Sequence, residues 1–200
     1  MNIDTDHLHF WMQAIRQSAY PIRTMDAFWR GQILSKEWLI SKLQELLDRT
    51  KRDITINIHG GWVGTLASML FQSGMHIGHI NCIDIDPDCE RIATTMNQLE
   101  FNFGKFCAIT QDMCTFKQHA DIEINTSFEH ITQPAYEQWL SSKLPQSLLI
   151  IQSNNYEIPE HIRIARSLDE FKLQAGLSHV MYEGELSLPL YTRYMVIGKK

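Results

Sequence analysis

The 200-residue sequence has little of what would set it apart from ordinary globular chains. Nowhere do eighteen consecutive apolar residues occur, so no transmembrane helix is expected. The opening MNIDTDHLHFW lacks a basic stretch followed by an apolar one, which leaves no visible secretory signal. Cysteine is scarce: Cys82, Cys89, Cys107 and Cys114 form no C-x-x-C pair and no zinc-finger spacing with histidine. Free thiols in a reducing cytoplasm are the expectation, with no metal centre. Repeats, low-complexity segments and dense Lys/Arg runs are also missing. The net charge is −5, and it is uneven: residues 1–52 carry eight Lys/Arg against six Asp/Glu, and residues 53–200 carry ten against seventeen. Phosphate backbones are bound through dense basic footprints. Nucleic acid is therefore disfavoured as a partner.

What is present is a chain 44% hydrophobic, 10% aromatic and 20% charged, enough to bury one sizeable core without disulfides. Residues 5–50 read as helical. Asp6 is a candidate cap for a first helix carrying Leu8, Trp11, Met12 and Ile15, and Tyr20-Pro21 breaks it. A short helix is expected over Met25 to Gly31, and Ser35 as the cap of another carrying Trp38, Leu39, Leu43, Leu46 and Leu47. The pattern changes at Asp53. Strands are expected at Ile54–Ile58, Ile80–Ile85, Phe106–Thr110, Ile122–Asn125, Leu148–Gln152, His179–Leu186 and Tyr191–Ile197. Helices are expected between them at 64–73, 87–102, 134–144 and 168–175. Strands alternating with helices imply a parallel sheet with right-handed crossovers. The last two strands are joined by only Ser187-Leu188-Pro189, too short for a crossover, so they pair antiparallel. The expected fold is α/β: a doubly wound, mostly parallel seven-stranded sheet with a C-terminal antiparallel hairpin, over residues 53–200. Residues 1–52 form an N-terminal helical extension.

Four segments at strand ends could carry chemistry. The turn His59-Gly60-Gly61-Trp62-Val63-Gly64 lies between a strand and a helix, where glycines let a ligand approach and the helix N-terminus favours negative charge. The second strand ends in Asp84-Ile85-Asp86-Pro87. There Asp84 can accept from both hydroxyls of a ribose, Ile85 can wall a flat base, and Asp86 can cap the helix. Gln111-Asp112-Met113 follows the third strand; Asp112 can accept from an exocyclic amine, and Met113 offers backbone and an apolar face. Asn125-Thr126-Ser127-Phe128-Glu129-His130 follows the fourth strand, and Gln152-Ser153-Asn154-Asn155-Tyr156 the fifth, with His161 five residues on.

Together these residues resemble the class I S-adenosylmethionine-dependent methyltransferases over roughly residues 53–200. The resemblance implies S-adenosylmethionine as cofactor. Gly60, Gly61 and Gly64 would accommodate its methionine part, Asp84 and Ile85 its ribose and base, and Asp112 and Met113 its adenine. Asn125 would complete the cofactor contacts, since the segment after the fourth strand lies beside the transferable methyl. The glycine motif departs from the family's: Trp62 stands where a middle glycine would, and Ile58 or His59 where an acid would. Methyl transfer needs mainly alignment of a nucleophile with the sulfonium methyl, sometimes with removal of a proton. His130 is the candidate base, then Glu129. Asn154, Asn155 and Tyr156 would bind a small polar acceptor. Residues 5–50, with Phe10, Trp11, Tyr20, Phe28, Trp29 and Trp38, are expected to lie over the carboxyl ends of the strands as a lid. Two other readings stand beside this one. A nicotinamide-dependent oxidoreductase would use Gly61, Gly64 and Asp84 as a partial dinucleotide fingerprint. A non-catalytic interaction module would have kept the fold and lost the cofactor.

Overall fold

A computed structural model describes residues 4–47 and 52–200. The β-branched segments form seven strands: β1 (Ile54–His59), β2 (Ile77–Asp84), β3 (Phe106–Thr110), β4 (Ile122–Asn125), β5 (Leu148–Asn154), β6 (His179–Ser187) and β7 (Thr192–Lys199). Their order in the sheet is β3-β2-β1-β4-β5-β7-β6. The first five run parallel, while β7 pairs antiparallel with both β5 and β6. The chain thus starts at the sheet centre, winds out to β3 and returns through β4, as two sets of crossovers dictate. Among the described residues no helix is long and apolar enough to cross a membrane.

Helices cover both faces. On one side, α3 (Arg30–Leu47) and α4 (Thr65–Phe71) pack Leu39, Leu43, Met69 and Leu70 on Ile56, Ile58, Ile80 and Ile124. On the other, α7 (Gln133–Ser141) and α8 (Leu168–Ala175) bring Tyr136, Trp139 and Phe171 onto Leu149, Ile151 and Val196. Side chains cap several of the helix starts. Asp86 Oδ1 accepts from the Asp88 amide ahead of Pro87 to open α5 (Pro87–Met96), and the Ser167 hydroxyl accepts from the Glu170 amide at α8. The expected single helix over 87–102 is divided at Asn97 into α5 and α6 (Gln98–Asn102). The Asn97 side chain turns inward to donate to the Gly64 and Ala93 carbonyls, 3.1 and 2.9 Å away.

The N-terminal extension is three helices, with boundaries that correct the sequence reading. Asp4, not Asp6, caps α1 (Thr5–Gln17), its carboxylate accepting from the Asp6 amide. The short helix is α2 (Pro21–Asp26), which ends before Phe28. Ser35 caps nothing: it is buried inside α3, where its hydroxyl donates to the Gln32 carbonyl and its own carbonyl accepts from Gln152 of β5. α1 packs along α5, and Trp11 donates to the Ser68 hydroxyl of α4 at 2.8 Å. Arg23 of α2 pairs with Asp86. Phe28 lies 5.4 Å from Trp11 and packs on the cluster that includes Val63 of the glycine turn, and Gly31 lies against the Tyr191 ring. The six aromatics of the extension do not converge on one pocket: Tyr20 and Trp29 face solvent, and Trp38 donates to the Tyr182 hydroxyl of β6.

One face of the sheet centre is polar. His59 Nε2 sits 2.6 Å from Glu123 Oε2, Lys143 lies 3.5 Å from the same oxygen, and Asn57 donates to Glu123 Oε1. Phe116 and Trp139 close over the imidazole. Burial pushes the His59 pKa down to about 4, with the Lys143 charge reinforcing and Glu123 opposing. Burial also works against ionised Glu123, but the His59 hydrogen bond and the Lys143 charge outweigh it and hold this carboxyl below its usual range. Both groups therefore bind fewer protons in the folded state than in the unfolded chain. The His59 contribution to stability is full above the ordinary histidine range and should be lost as pH drops from ~6.5 towards about 4, by at most ~3 kcal/mol. Urea midpoints measured at pH 7.5, 5.5 and 4.5 check this. His59→Gln, which cannot take up the proton, should show a shallower pH slope; an identical slope would assign the effect elsewhere.

Candidate functional site

The carboxyl ends of β1, β2, β4 and β5 bring the sequence-predicted residues to one edge, where open α/β sheets bind ligands. The glycine turn is shaped first by its own neighbours. A side chain at Gly61 would strike the Cys82 sulfur of β2, one at Gly60 the Ser127 hydroxyl of the loop after β4, and one at Gly64 the Asn97 amide at 2.7 Å. Gly64 is also left-handed, with φ +78°. Trp62, at the middle-glycine position, adopts φ 49°, a conformation non-glycine residues avoid. It is held there by Asp84, whose Oδ2 accepts from the Trp62 amide at 2.7 Å while Oδ1 accepts from the Asp86 amide at 3.0 Å. A carboxylate offers about four lone-pair sites, so both oxygens keep capacity to accept further hydroxyls. Beside it Ile85 is 71% exposed, an apolar side chain with nothing of the protein over it.

After β3 no helix intervenes before β4. Asp112 Oδ1 accepts from the Cys114 amide and its carbonyl from those of Thr115 and Phe116, making a tight turn. Met113 is packed into the core among Phe128 and Tyr136, which leaves its backbone at the site.

After β4 the chain makes one turn of 3-10 helix, Phe128–His130. Asn125 is fully buried; its Oδ1 accepts from the Ser127 amide, and its Nδ2 has no partner. Glu129 is 3% exposed. Its Oε1 accepts from Asn154 Nδ2 at 2.6 Å and from Arg193 Nη1 at 3.1 Å, and its Oε2 has no partner. Arg193 also donates to the Thr126 carbonyl and to Gln152. His130 is exposed, with Nδ1 on the Glu160 carbonyl at 3.1 Å.

The polar cluster after β5 holds the edge together. Asn154 Oδ1 accepts from the Tyr156 amide, and Asn155 Oδ1 from the Thr192 amide of β7. Tyr156 stacks on Tyr191 at 5.3 Å. The following loop is tied back to Glu129, whose carbonyl accepts from the Ile162 and Arg163 amides. This brings His161 against His130, ring centroids 5.0 Å apart. A groove of about 390 Å³ runs along this loop, lined by Ile158, His161, Ile162 and Arg163.

Arg193 and Lys36 escaped the sequence reading. Lys36 reaches this edge from α3, where its ammonium donates to Gln32 at 2.8 Å. Burial, with Arg193 reinforcing and Glu129 opposing, pushes its pKa down to about 7. Both residues lie outside the strand-end loops where ligand-binding side chains are sought: pairing of β7 with β5 brings Arg193 there, and packing of α3 on the sheet brings Lys36.

No family model matches the sequence, and no curated protein is significantly similar to it. Solved structures are similar in fold. A magnesium protoporphyrin IX methyltransferase from Synechocystis PCC 6803 with bound SAH has TM-score 0.69 at 15% identity, covering 98% of this chain and 94% of that one. The pyocyanin biosynthetic protein PhzM gives 0.65 at 13% identity, covering 95% and 62%. TehB from Haemophilus influenzae gives 0.59 at 10%, covering 80% and 61%. With the observed strand order, these likenesses give the chain the class I methyltransferase fold.

The packing of the glycine turn can be tested without a ligand. Gly64→Ala should combine the left-handed penalty with the Asn97 and Ala93 contacts and cost ~2–3 kcal/mol. Gly74 has φ +81° but nothing within 4 Å of an added Cβ, so Gly74→Ala should cost only ~1 kcal/mol. The melting temperatures should fall in that order, by about 4–10 °C and about 2–4 °C. Equal losses would mean that contact with α5 contributes nothing.

Proposed function

We propose that this protein is an S-adenosylmethionine-dependent methyltransferase acting on a small polar acceptor. The observation that carries the reading is Asp84. It is an ionisable carboxylate at the carboxyl end of β2, fixed by two backbone amides, with lone pairs to spare and the exposed Ile85 beside it. That arrangement suits a ribose and a flat base. It occurs in a fold whose similar structures include a methyltransferase with bound SAH. In this reading Gly60, Gly61 and Gly64 let the methionine part approach, Asp112 and the Met113 backbone meet the adenine, and the unpartnered Asn125 Nδ2 donates to the cofactor.

The acceptor would lie between the one-turn helix after β4 and the loop after β5. Glu129, His130, Tyr156, Lys36 and Arg193 give that region hydrogen-bonding groups of both kinds. Such a lining favours a polar metabolite over an apolar one, because a buried polar group without a partner is costly. Residues 4–47 act here as a cover. α2 is pinned at the β2 end by Arg23 and Asp86, and α3 at the β5 end by Ser35 and Gln152, so the extension spans the edge between them. The nicotinamide reading gains no support, since the antiparallel β5-β7-β6 end belongs to the methyltransferase arrangement.

Calorimetry with S-adenosylmethionine tests the assignment. Asp84→Asn keeps the shape but lowers the charge of the acceptor, and it should weaken binding by about 10- to 150-fold, the equivalent of ~1.5–3 kcal/mol. The melting temperature should fall only modestly, by about 2–6 °C, because the amide can accept from just one of the Trp62 and Asp86 N–H groups. Unaltered affinity in Asp84→Asn, or no binding to the parent protein, would overturn the cofactor reading.

A further inference from the structure

Glu129, His130 and His161 each bring one possible metal-ligand atom within 4.8 Å of the others. The hydrogen bonds around them decide which atoms are free. A carbonyl oxygen can only accept, so the 3.1 Å contact of His130 Nδ1 with the Glu160 carbonyl fixes the proton on Nδ1. The 2.7 Å contact of His161 Nδ1 with the Tyr156 carbonyl does the same there. In the neutral rings both Nε2 atoms are left as bare lone pairs. Glu129 is in the same condition, Oε1 taken by Asn154 and Arg193 and the buried Oε2 unpartnered. Metal-ligating histidines are oriented in this way, by a second N–H on a backbone carbonyl, and ligating carboxylates by hydrogen bonds to their other oxygen. Each of the three residues, clustered within reach of one ion, thus keeps one acceptor atom that no hydrogen bond within the protein occupies. A shared proton can satisfy two of them; a cation satisfies all three.

We propose that Glu129, His130 and His161 bind a divalent transition-metal ion of the zinc class at the acceptor end of the site. Two imidazoles and one carboxylate suit Zn²⁺ and its first-row neighbours rather than Mg²⁺ or Ca²⁺. Bonds of about 2.0–2.1 Å put ligand atoms roughly 3.3 Å apart, so the side chains close in by about 1.5 Å from the 4.8 Å limit. His130 is exposed and His161 half-buried, which leaves their rings room to turn. The backbone bonds from Ile162 and Arg163 to the Glu129 carbonyl hold the two segments in register. Arg193 already balances Glu129, and Lys36 and Arg163 face it too. The charge of the ion is therefore left for the acceptor to meet, which favours a small molecule that brings an ionised oxygen. That last clause rests on the methyl-transfer reading; the metal site does not. An ion on the His130 lone pair takes the place of the proton-acceptor role that the sequence suggests for this residue.

The test uses the full chain stripped with EDTA and titrated with ZnCl₂ by calorimetry, then with CoCl₂ followed by visible absorption. One ion per chain is expected, with the d–d bands of a low-symmetry nitrogen–oxygen site. Even supporting groups around a ligand change metal affinity 10- to 100-fold, so His161→Ala, His130→Ala and Glu129→Gln should each weaken binding by about 100-fold or more. His79→Ala, on β2, should leave it unchanged. No zinc binding to the parent protein, or affinity in His130→Ala and His161→Ala equal to the parent's, would overturn the site and leave a shared proton or a surface histidine as the explanation. S-adenosylmethionine titrations on the same samples separate the two readings. Cofactor binding without zinc binding sinks only the metal site, and zinc binding without cofactor binding sinks only the methyl-transfer reading.

Discussion

The sheet edge at the carboxyl ends of β4 and β5 depends on one buried carboxylate. Glu129 stands on a single turn of helix after β4, yet its Oε1 is bound by Asn154 at the end of β5 and by Arg193 of β7. Its backbone carbonyl anchors the loop that carries His161. Four segments distant in sequence are thus fixed relative to one oxygen and one carbonyl. Breaking a buried ion pair of this kind by deleting one partner costs ~3–5 kcal/mol, because the other charge is left uncompensated. Arg193 is available at this position only because β7 runs antiparallel beside β5, in register Asn154 with Arg193. The terminal hairpin is therefore part of the site's construction.

A second polar system, at the sheet centre, explains why the glycine turn can begin without an acid. Where class I methyltransferases carry an acid this chain has Ile58 and His59, and His59 turns into the core between Phe116 and Trp139. The carboxylate it meets is Glu123 on the neighbouring strand, with Lys143 completing the charge balance. The electrostatics of this region are thus spread over β1, β4 and the segment after α7. The β1 end is held by a buried hydrogen bond, with no acid at the turn.

The sheet was legible in the sequence because β-branched runs bounded by turn residues have few other solutions. β3, β4 and α8 match the expected bounds. Reading failed where a side chain's local preference was overridden by burial. Ser35 has the chemistry of a cap, but packing of α3 on the sheet draws its residue into the helix interior and turns its carbonyl to Gln152. Asn97 has the chemistry of a turn, and uses it to break a helix that periodicity alone would have continued. The strand-end pattern placed Asp84, Asn125 and Glu129 along one sheet edge, which is where the structure has them. Arg193 and Lys36 could not be found this way, since each is joined to the site by contacts across 60 or more residues that only the topology creates.

The glycines alone cannot distinguish a ligand-binding turn from a relative that has lost its ligand. Gly60, Gly61 and Gly64 each press on a specific neighbour, and these contacts would select glycine in either case. The distinction lies in the polar groups that the protein leaves unused. Asn125 Nδ2 and Glu129 Oε2 are buried and without partners in the chain. A buried polar group left unmade costs ~1–3 kcal/mol, a substantial share of the ~5–15 kcal/mol that stabilises a domain. Ile85, 71% exposed at the end of β2, argues the same way at the other end of the edge. Unmet polar atoms after β4 and an uncovered apolar side chain after β2 are features that an edge built to receive a ligand would keep.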